Sequence, residues 1–142
     1  MSISNVRKAM TSAVKTVLDT IGFSGATSWE NAPFDNSKMP KWAKVTFVSV
    51  PPFVTTLGAG GDDRITGYIQ VDLNVPQGSS VGDLDSWIES LRNEFVAGKG
   101  YPYGGTTTTI INSGPNAGSV FDNWYRKSVT ITYRADLPRA SI

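Results

Sequence analysis

Strict alternation of apolar and other residues makes Thr66–Val75 the clearest predicted strand of the chain. Ile69, Val71, Leu73 and Val75 fall on one side, and Tyr68, Gln70, Asp72 and Asn74 fall on the other. Because successive side chains of a strand point to opposite faces, the pattern predicts one buried face. Pro76 and Gly78 end the strand, since proline cannot donate to a ladder and glycine favours a turn.

Two segments have apolar residues at the three- and four-residue spacing of an amphipathic helix. The first is Ser4–Ile21, with Ser2 or Ser4 as N-cap and Gly22 as its C-terminal stop. The second covers residues 83–96 and follows Ser80, which forms an acidic variant of the capping box with Asp83. Each helix is expected to cover a sheet with its apolar stripe.

Further strands are predicted at Lys41–Val50, Thr106–Asn112 and Trp124–Ala135, with a short extended piece around Thr27 to Asn31. Trp29 and Phe34 are expected to anchor the loop that follows this piece. Turn-forming residues indicate loops at 98–105 and 113–122. Residues 136–142 are predicted to form a flexible tail. The order α-β-β-β-α-β-β predicts one α+β domain over residues 1–142. Its mixed or antiparallel sheet has four to five strands, with both helices packed on one face.

The segment from Pro51 to Arg64 differs from the rest of the chain. Two prolines end regular pairing, and apolar residues then lead into a glycine-rich tip. Such a tip is expected to be exposed and to order against a partner. We therefore predict an interface with these residues: Phe53, Val54, Leu57, Gly58, Gly60, Gly61, Asp62, Asp63 and Arg64.

A second candidate interface combines the polar face of the central strand with an aromatic loop. It comprises Tyr68, Gln70, Asp72, Tyr101 and Tyr103. Exposed tyrosines are common anchors of protein interfaces. For Tyr101 and Tyr103, packing on their own domain stays open as an alternative.

Composition argues against several classes of function. The chain has 142 residues and a net charge of +1, from 13 basic and 12 acidic residues, which disfavours a dedicated nucleic-acid or membrane-surface binder. It has no cysteine and no histidine, so disulfides, thiolate metal sites and the commonest general base are absent. Charged residues interrupt the N-terminal apolar positions, which argues against a signal peptide, and no apolar run could span a bilayer.

Candidate chemical sites are weak. The glycines at 58–61 precede a strand, whereas a phosphate cradle needs a helix there. Neither Asp62, Asp63 and Asp72 nor Asp83 and Asp85 have the spacing of a recognised cation loop. No deep site is implied for a carboxylate pair drawn from Glu30, Glu89 and Glu94, and no histidine could activate a serine. We predict no enzyme, no metal and no cofactor.

Four motifs follow one another along the chain. They are Trp29-Glu30-Asn31-Ala32-Pro33-Phe34, the stretch from Leu57 to Gly67, Ile69-Gln70-Val71-Asp72 with Val75-Pro76-Gln77-Gly78, and Asn123-Trp124-Tyr125-Arg126-Lys127-Ser128-Val129-Thr130-Ile131. With the two helices in matching order, the chain resembles the tail terminator proteins of long-tailed bacteriophages. The turn at Gln77-Gly78-Ser79-Ser80 is less glycine-rich than the family pattern.

The resemblance implies a structural protein of the virion without catalysis. Members form a hexameric ring on the head-proximal end of the tail tube, which ends tube polymerisation and presents a surface for head attachment. The implied partners are other copies of the chain, the tail tube protein and a head-completion or connector protein. No membrane is involved, and DNA only passes through the lumen. Assembly would take place in the host cytoplasm.

Within such a ring, the 51–64 segment is the first candidate for contact with the tube or a neighbouring subunit. Its apolar base and glycine-rich tip are expected to order on binding.

Two alternatives stay open. One is another neck protein, for tail completion or head–tail joining. The other is a small-ligand or carbohydrate-binding module that uses Trp42, Tyr68 and the exposed sheet face.

Overall fold

The computed structural model describes residues 3–30, 32, 34–36, 39–49, 53–54, 62–78, 82–121 and 123–138. In chain order the elements are α1 (Ile3–Thr20), β1 (Thr27–Ser28), β2 (Trp42–Ser49), β3 (Phe53–Val54), β4 (Asp62–Pro76), α2 (Gly82–Glu94), β5 (Gly100–Tyr103), β6 (Thr106–Pro115), β7 (Ser119–Phe121) and β8 (Trp124–Pro138). Neither helix in these ranges combines the length and hydropathy needed to cross a membrane.

All eight strands belong to one mixed sheet whose main order is β1-β2-β4-β8-β6-β5. In addition, β3 pairs with β4 and β7 pairs with β8. Among the strands of the described ranges, only the β1–β2 pair is parallel. β4 and β8 lie at the centre and pair along their whole length, from Asp62 opposite Pro138 to Pro76 opposite Trp124.

The core lies between one face of this sheet and both helices. In-register apolar residues form rows across β2, β4 and β8, such as Val45 beside Val71 and Val71 beside Val129. The helix residues of the core are Val6, Met10, Val14, Leu18, Leu84, Ile88 and Leu91. The α+β class, the buried set of the central strand and the placement of both helices on one face are therefore confirmed.

The sheet has more strands than the four to five that were predicted. Residues 98–105, expected to be a loop, contain β5, and residues 113–122 contain the end of β6 and β7. The glycine-rich composition suggested a loop, but Gly104 and Gly105 have φ of 59° and 83° and form the two-residue turn of the β5–β6 hairpin. These glycines therefore form the turn of a hairpin and do not indicate a long loop.

Both central strands are longer than predicted. β4 begins at Asp62 instead of Thr66, and β8 continues beyond Ala135 to Pro138. The expectation of a flexible tail from residue 136 was therefore wrong for 136–138, and residues 139–142 lie outside the described ranges. Both strands extend because the added residues of β4 and those of β8 form ladder hydrogen bonds with each other.

The predicted aromatic anchors of the 29–36 region are confirmed. Trp29 is partly buried against the core, and the Phe34 ring centroid lies 5.5 Å from that of Trp42. Helix bounds differ from prediction by one or two residues. Gly22 follows α1 with φ of 94°, a left-handed conformation that suits a helix stop.

Replacing Thr108 with valine is expected to raise the free energy of unfolding by about 1 kcal/mol. The Thr108 hydroxyl is buried without a hydrogen-bond partner, and valine has the same shape without the polar atom. Urea unfolding measures the change. Thr107→Val, at the exposed neighbour, is the control and should leave stability within about 0.5 kcal/mol. A lower stability of Thr108→Val would contradict the assignment of an unsatisfied hydroxyl.

Candidate assembly surface

One face of the sheet is turned away from both helices, and we call it the outer face. In β4 it carries the even-numbered residues, because the odd-numbered residues Ile65, Ile69, Val71, Leu73 and Val75 lie in the core. The register of β2, β4 and β8 arranges outer-face side chains in cross-strand rows: Lys44–Asp72–Ser128, Thr46–Gln70–Thr130 and Val48–Tyr68–Thr132. Tyr68 is 38% exposed, so this polar face presents an aromatic ring to solvent.

Asp72 is enclosed within the outer face. Only 4% of it is exposed, and its carboxylate accepts hydrogen bonds from the Ser128 hydroxyl and from Gln70 Nε2, the latter at 2.9 Å. Arg126 Nη1 lies 3.8 Å from its second oxygen. Asp72 was predicted as an interface residue. It is instead buried, and its carboxylate holds the neighbouring Ser128, Gln70 and Arg126 side chains. Tyr68, two rows along the sheet, is accessible.

A second buried polar contact closes one corner of the outer face. Asn74 is fully buried, donates to the Trp42 carbonyl at 3.2 Å and accepts from Arg126 Nε at 2.8 Å. The Arg126 guanidinium lies 5.7 Å from the centre of the Trp42 ring, which also contacts Phe34 and Trp124. Aromatic and polar contacts thus hold this corner in one arrangement.

The opposite corner is open and basic. Arg64 binds Asp136 with two hydrogen bonds of 2.8 and 3.3 Å, and this guanidinium holds the pKa of the Asp136 carboxyl below its usual value. Arg134 is exposed beside this pair. Arg64, Arg134, Thr66 and Thr109 line part of a cleft of about 420 Å³. The cleft offers cationic groups and hydroxyls to a partner.

Glu30 caps the free edge of β2. β1 pairs only with Ala43 and Lys44, so the backbone beyond them needs another partner. Phe47 N–H donates to Glu30 Oε1 at 2.9 Å, and Arg7 Nη1 binds Glu30 Oε2 at 3.0 Å. The hydrogen bond from the Phe47 N–H has the largest effect on the pKa of the Glu30 carboxyl, and it lowers this pKa. The Arg7 cation lowers the pKa further, whereas desolvation of the carboxyl raises it. The carboxylate thus occupies the place of a neighbouring strand.

Replacing Glu30 with glutamine is expected to lower the free energy of unfolding by about 1 kcal/mol at neutral pH. The folded pKa of Glu30 lies below the ordinary value of 4.5, so its stabilisation is complete above 4.5 and is lost as the pH falls through the folded value. The wild type and the variant should therefore converge in acid. Urea unfolding at a series of pH values tests this, and a pH-independent difference would contradict it.

Tyr101 and Tyr103, which lie in β5, have different surroundings. The Tyr101 hydroxyl donates towards the Glu94 carbonyl and carboxylate at 3.1 and 3.2 Å, and its ring packs 5.6 Å from Phe95. Burial, and then the Glu94 charge, raise the pKa of Tyr101 well above its usual value. Tyr103 is 44% exposed, with Lys8 Nζ 5.8 Å from its ring centre. Tyr101 therefore packs on its own domain, while Tyr103 remains accessible.

The first predicted interface is only partly within the described residues. In β3, Phe53 pairs with Arg64 of β4 and Val54 pairs with Asp63. Along its other edge β4 pairs with β8, where Asp62 lies opposite Pro138. These residues thus come together at the end of the sheet that carries the open basic corner. Leu57, Gly58, Gly60 and Gly61 lie outside the described ranges.

The sequence patterns placed none of Lys44, Arg126, Arg134 and Glu30 in a candidate interface. Within the predicted strand Trp124–Ala135, Arg126 and Arg134 are an even number of residues apart and therefore lie on the same side. What was missing was the register that sets this side beside the polar residues of β4. Glu30 was considered only as part of a family motif and as a catalytic carboxylate, because its structural role depends on a strand seventeen residues away along the chain.

Among the described residues, no three histidine, cysteine, aspartate or glutamate side chains come close enough to hold a metal ion. The outer face is shallow and ordered by hydrogen bonds within the chain. Such a surface is suited to contact with another protein.

Comparison with known proteins identifies a family. Residues 5–133 match the family model described as "Phage tail terminator protein". Fifteen chains of solved structures also match significantly. One of them is 15% identical, covers 96% of this chain and 97% of its own, and has a TM-score of 0.77, a likeness that shows the fold alone. No curated protein is significantly similar in sequence.

Proposed function

This chain belongs to the phage tail terminator family and is a structural protein of the phage tail; on that premise we propose that it forms a ring on the head-proximal end of the tail tube. The ring ends tube polymerisation and offers a surface for head attachment. Its partners are further copies of the chain, the tail tube protein and a head-completion or connector protein, and DNA passes through its lumen.

The observation that supports this proposal best is the difference between the two sheet faces. The inner face is buried beneath both helices, whereas the outer face presents polar side chains and the ring of Tyr68 to solvent. Asp72 and Asn74 hold that face in place through hydrogen bonds within the chain. The side chains that these bonds fix lose little conformational entropy on binding, which favours association with another protein.

A ring requires two different surfaces on each subunit. Head-to-tail contacts join one surface to the other, and they close when the rotation between neighbours closes. In this chain the helix layer and the outer face lie on opposite sides of the sheet. A net charge of +1 also suits a ring around passing DNA, because a strongly basic lumen would retain it.

The tube contact is assigned to the end of the sheet formed by β3, the start of β4 and the end of β8, together with the 51–64 segment. Ile65 is the first residue of β4 in the described core, and the three residues of β4 before it are charged, so we do not expect them to fill the core. Deletion of residues 59–63 should therefore leave a folded subunit that no longer caps tubes. Retention of capping by this variant would exclude the assignment.

Polymerisation of the tail tube protein in vitro tests the function itself. Purified chain added to growing tubes should stop their elongation and appear at one end in electron micrographs. If tube length does not change while heads join tails only when the chain is present, the chain is a joining protein instead. If neither property depends on it, the proposal is wrong.

A further inference from the structure

The outer face has an excess of positive charge. Among the side chains that the structure describes, the charged residues of this face are Lys44, Arg64, Arg126, Arg134, Asp72 and Asp136. Both acids are engaged within the face, since Arg64 binds Asp136 at 2.8 Å and Arg126 lies 3.8 Å from Asp72. Lys44 and Arg134 are both exposed, and neither makes a direct ion pair among the described residues, although the Arg134 charge also lowers the pKa of the Asp136 carboxyl. Two cations are thus left for a partner.

The exposed side of α2 has the opposite charge. It carries Asp83, Asp85, Glu89 and Glu94, against Arg92 as the one basic residue of the helix. Asp85 binds Lys127 and Glu94 binds Lys99, each at 2.8 Å. Within the described chain, Asp83 and Glu89 have no ion-pair partner and are exposed. Two unpaired anions therefore remain on this side, against one exposed cation, Arg92.

α1 does not offer the same complement. Its charged residues are Arg7, Lys8, Lys15 and Asp19, so this helix is predominantly basic. Like charges placed together at an interface oppose association. Of the two helices that cover the inner face, only α2 has the charge that fits the outer face.

We infer that the outer face of one copy of this chain binds the exposed side of α2 of the next copy. The two surfaces lie on opposite sides of the domain, so the contact is head-to-tail, the kind that can close a ring. Apolar groups complement the charges. Tyr68 is 38% exposed on the outer face, and Val96, just after α2, is 49% exposed beside a shallow cleft of about 500 Å³.

The inference rests on the proposed ring and specifies its subunit contact. Charge reversal tests it, with Arg134→Glu on the outer face and Glu89→Lys on α2. Each variant brings like charges together, so each should reduce the fraction of capped tubes by about tenfold or more. The double variant Arg134→Glu/Glu89→Lys exchanges the charges and should recover capping to within about threefold of the wild type.

Lys15→Glu is the matched control. It reverses a charge on the exposed side of α1, where Lys15 makes only an exposed pair with Asp19, and it should cap tubes like the wild type. Circular dichroism and urea unfolding establish that all variants are folded, as expected for changes at exposed side chains. Capping should also weaken with added salt in the wild type, because the remaining charges are exposed.

Three outcomes would overturn the inference. Unimpaired capping by either single variant would exclude the contact, and so would a double variant that recovers nothing. Normal capping with loss of head joining in Arg134→Glu would assign the outer face to a head protein. These outcomes differ from failure of the proposed function, in which the wild-type chain itself does not limit tube length.

Discussion

Replacing Phe95 with alanine is expected to lower the free energy of unfolding by about 3–5 kcal/mol. Phe95 follows α2 directly, has no exposed surface and packs 5.6 Å from the Tyr101 ring of β5. It therefore joins the end of the helix to the edge of the sheet. Alanine loses the buried area of the ring and leaves a cavity that the surrounding β-strands cannot close without breaking their ladder.

The adjacent residue provides the control for this prediction. Val96 is 49% exposed, so Val96→Ala should change the free energy of unfolding by no more than about 0.5 kcal/mol. Urea unfolding followed by tryptophan fluorescence measures both variants. Equal effects at the two positions would contradict the placement of Phe95 in the core.

Replacing Arg126 with methionine is expected to cost about 3 kcal/mol, the lower end of the range for breaking a buried ion pair. The Arg126 side chain is 17% exposed, and it donates to the fully buried Asn74 while lying 3.8 Å from Asp72. Methionine keeps much of the packing volume but leaves the Asp72 carboxylate without its cation. Asp72 retains hydrogen bonds from Ser128 and Gln70, which limits the loss.

Arg134 is the control for Arg126, because it lies on the same face of the same strand but is exposed. Arg134→Met should change stability by less than about 0.5 kcal/mol. Asp72→Asn introduced together with Arg126→Met should regain part of the loss, because the neutral amide has no charge to leave unpaired. A double variant whose loss is the sum of the two single losses would show that Arg126 and Asp72 do not interact.

Periodicity predicted the parts of the fold that depend on one segment at a time. The alternation in Thr66–Val75 identified the buried side chains of β4, and apolar stripes identified α1 and α2 to within two residues. These signals are local, because a side chain's direction follows from its own backbone conformation. They are sufficient to predict a two-layer α+β arrangement.

These patterns did not predict which segments pair as strands. β5 and the end of β8 have glycine, proline and charged residues that are typical of loops, and they become strands because a neighbour supplies hydrogen bonds. The candidate site shows the same limit. Alternation predicted Asp72 to be exposed, whereas the register encloses it between Ser128, Gln70 and Arg126. Burial of an outer-face residue depends on the size of the side chains beside it.

Electron microscopy of phage particles assembled without this protein tests the central claim most directly. If the chain ends polymerisation of the tail tube, these particles should include abnormally long tails without heads, and supplying the wild-type chain should restore a uniform tail length. Tails of normal length in the absence of the chain would contradict termination as its function.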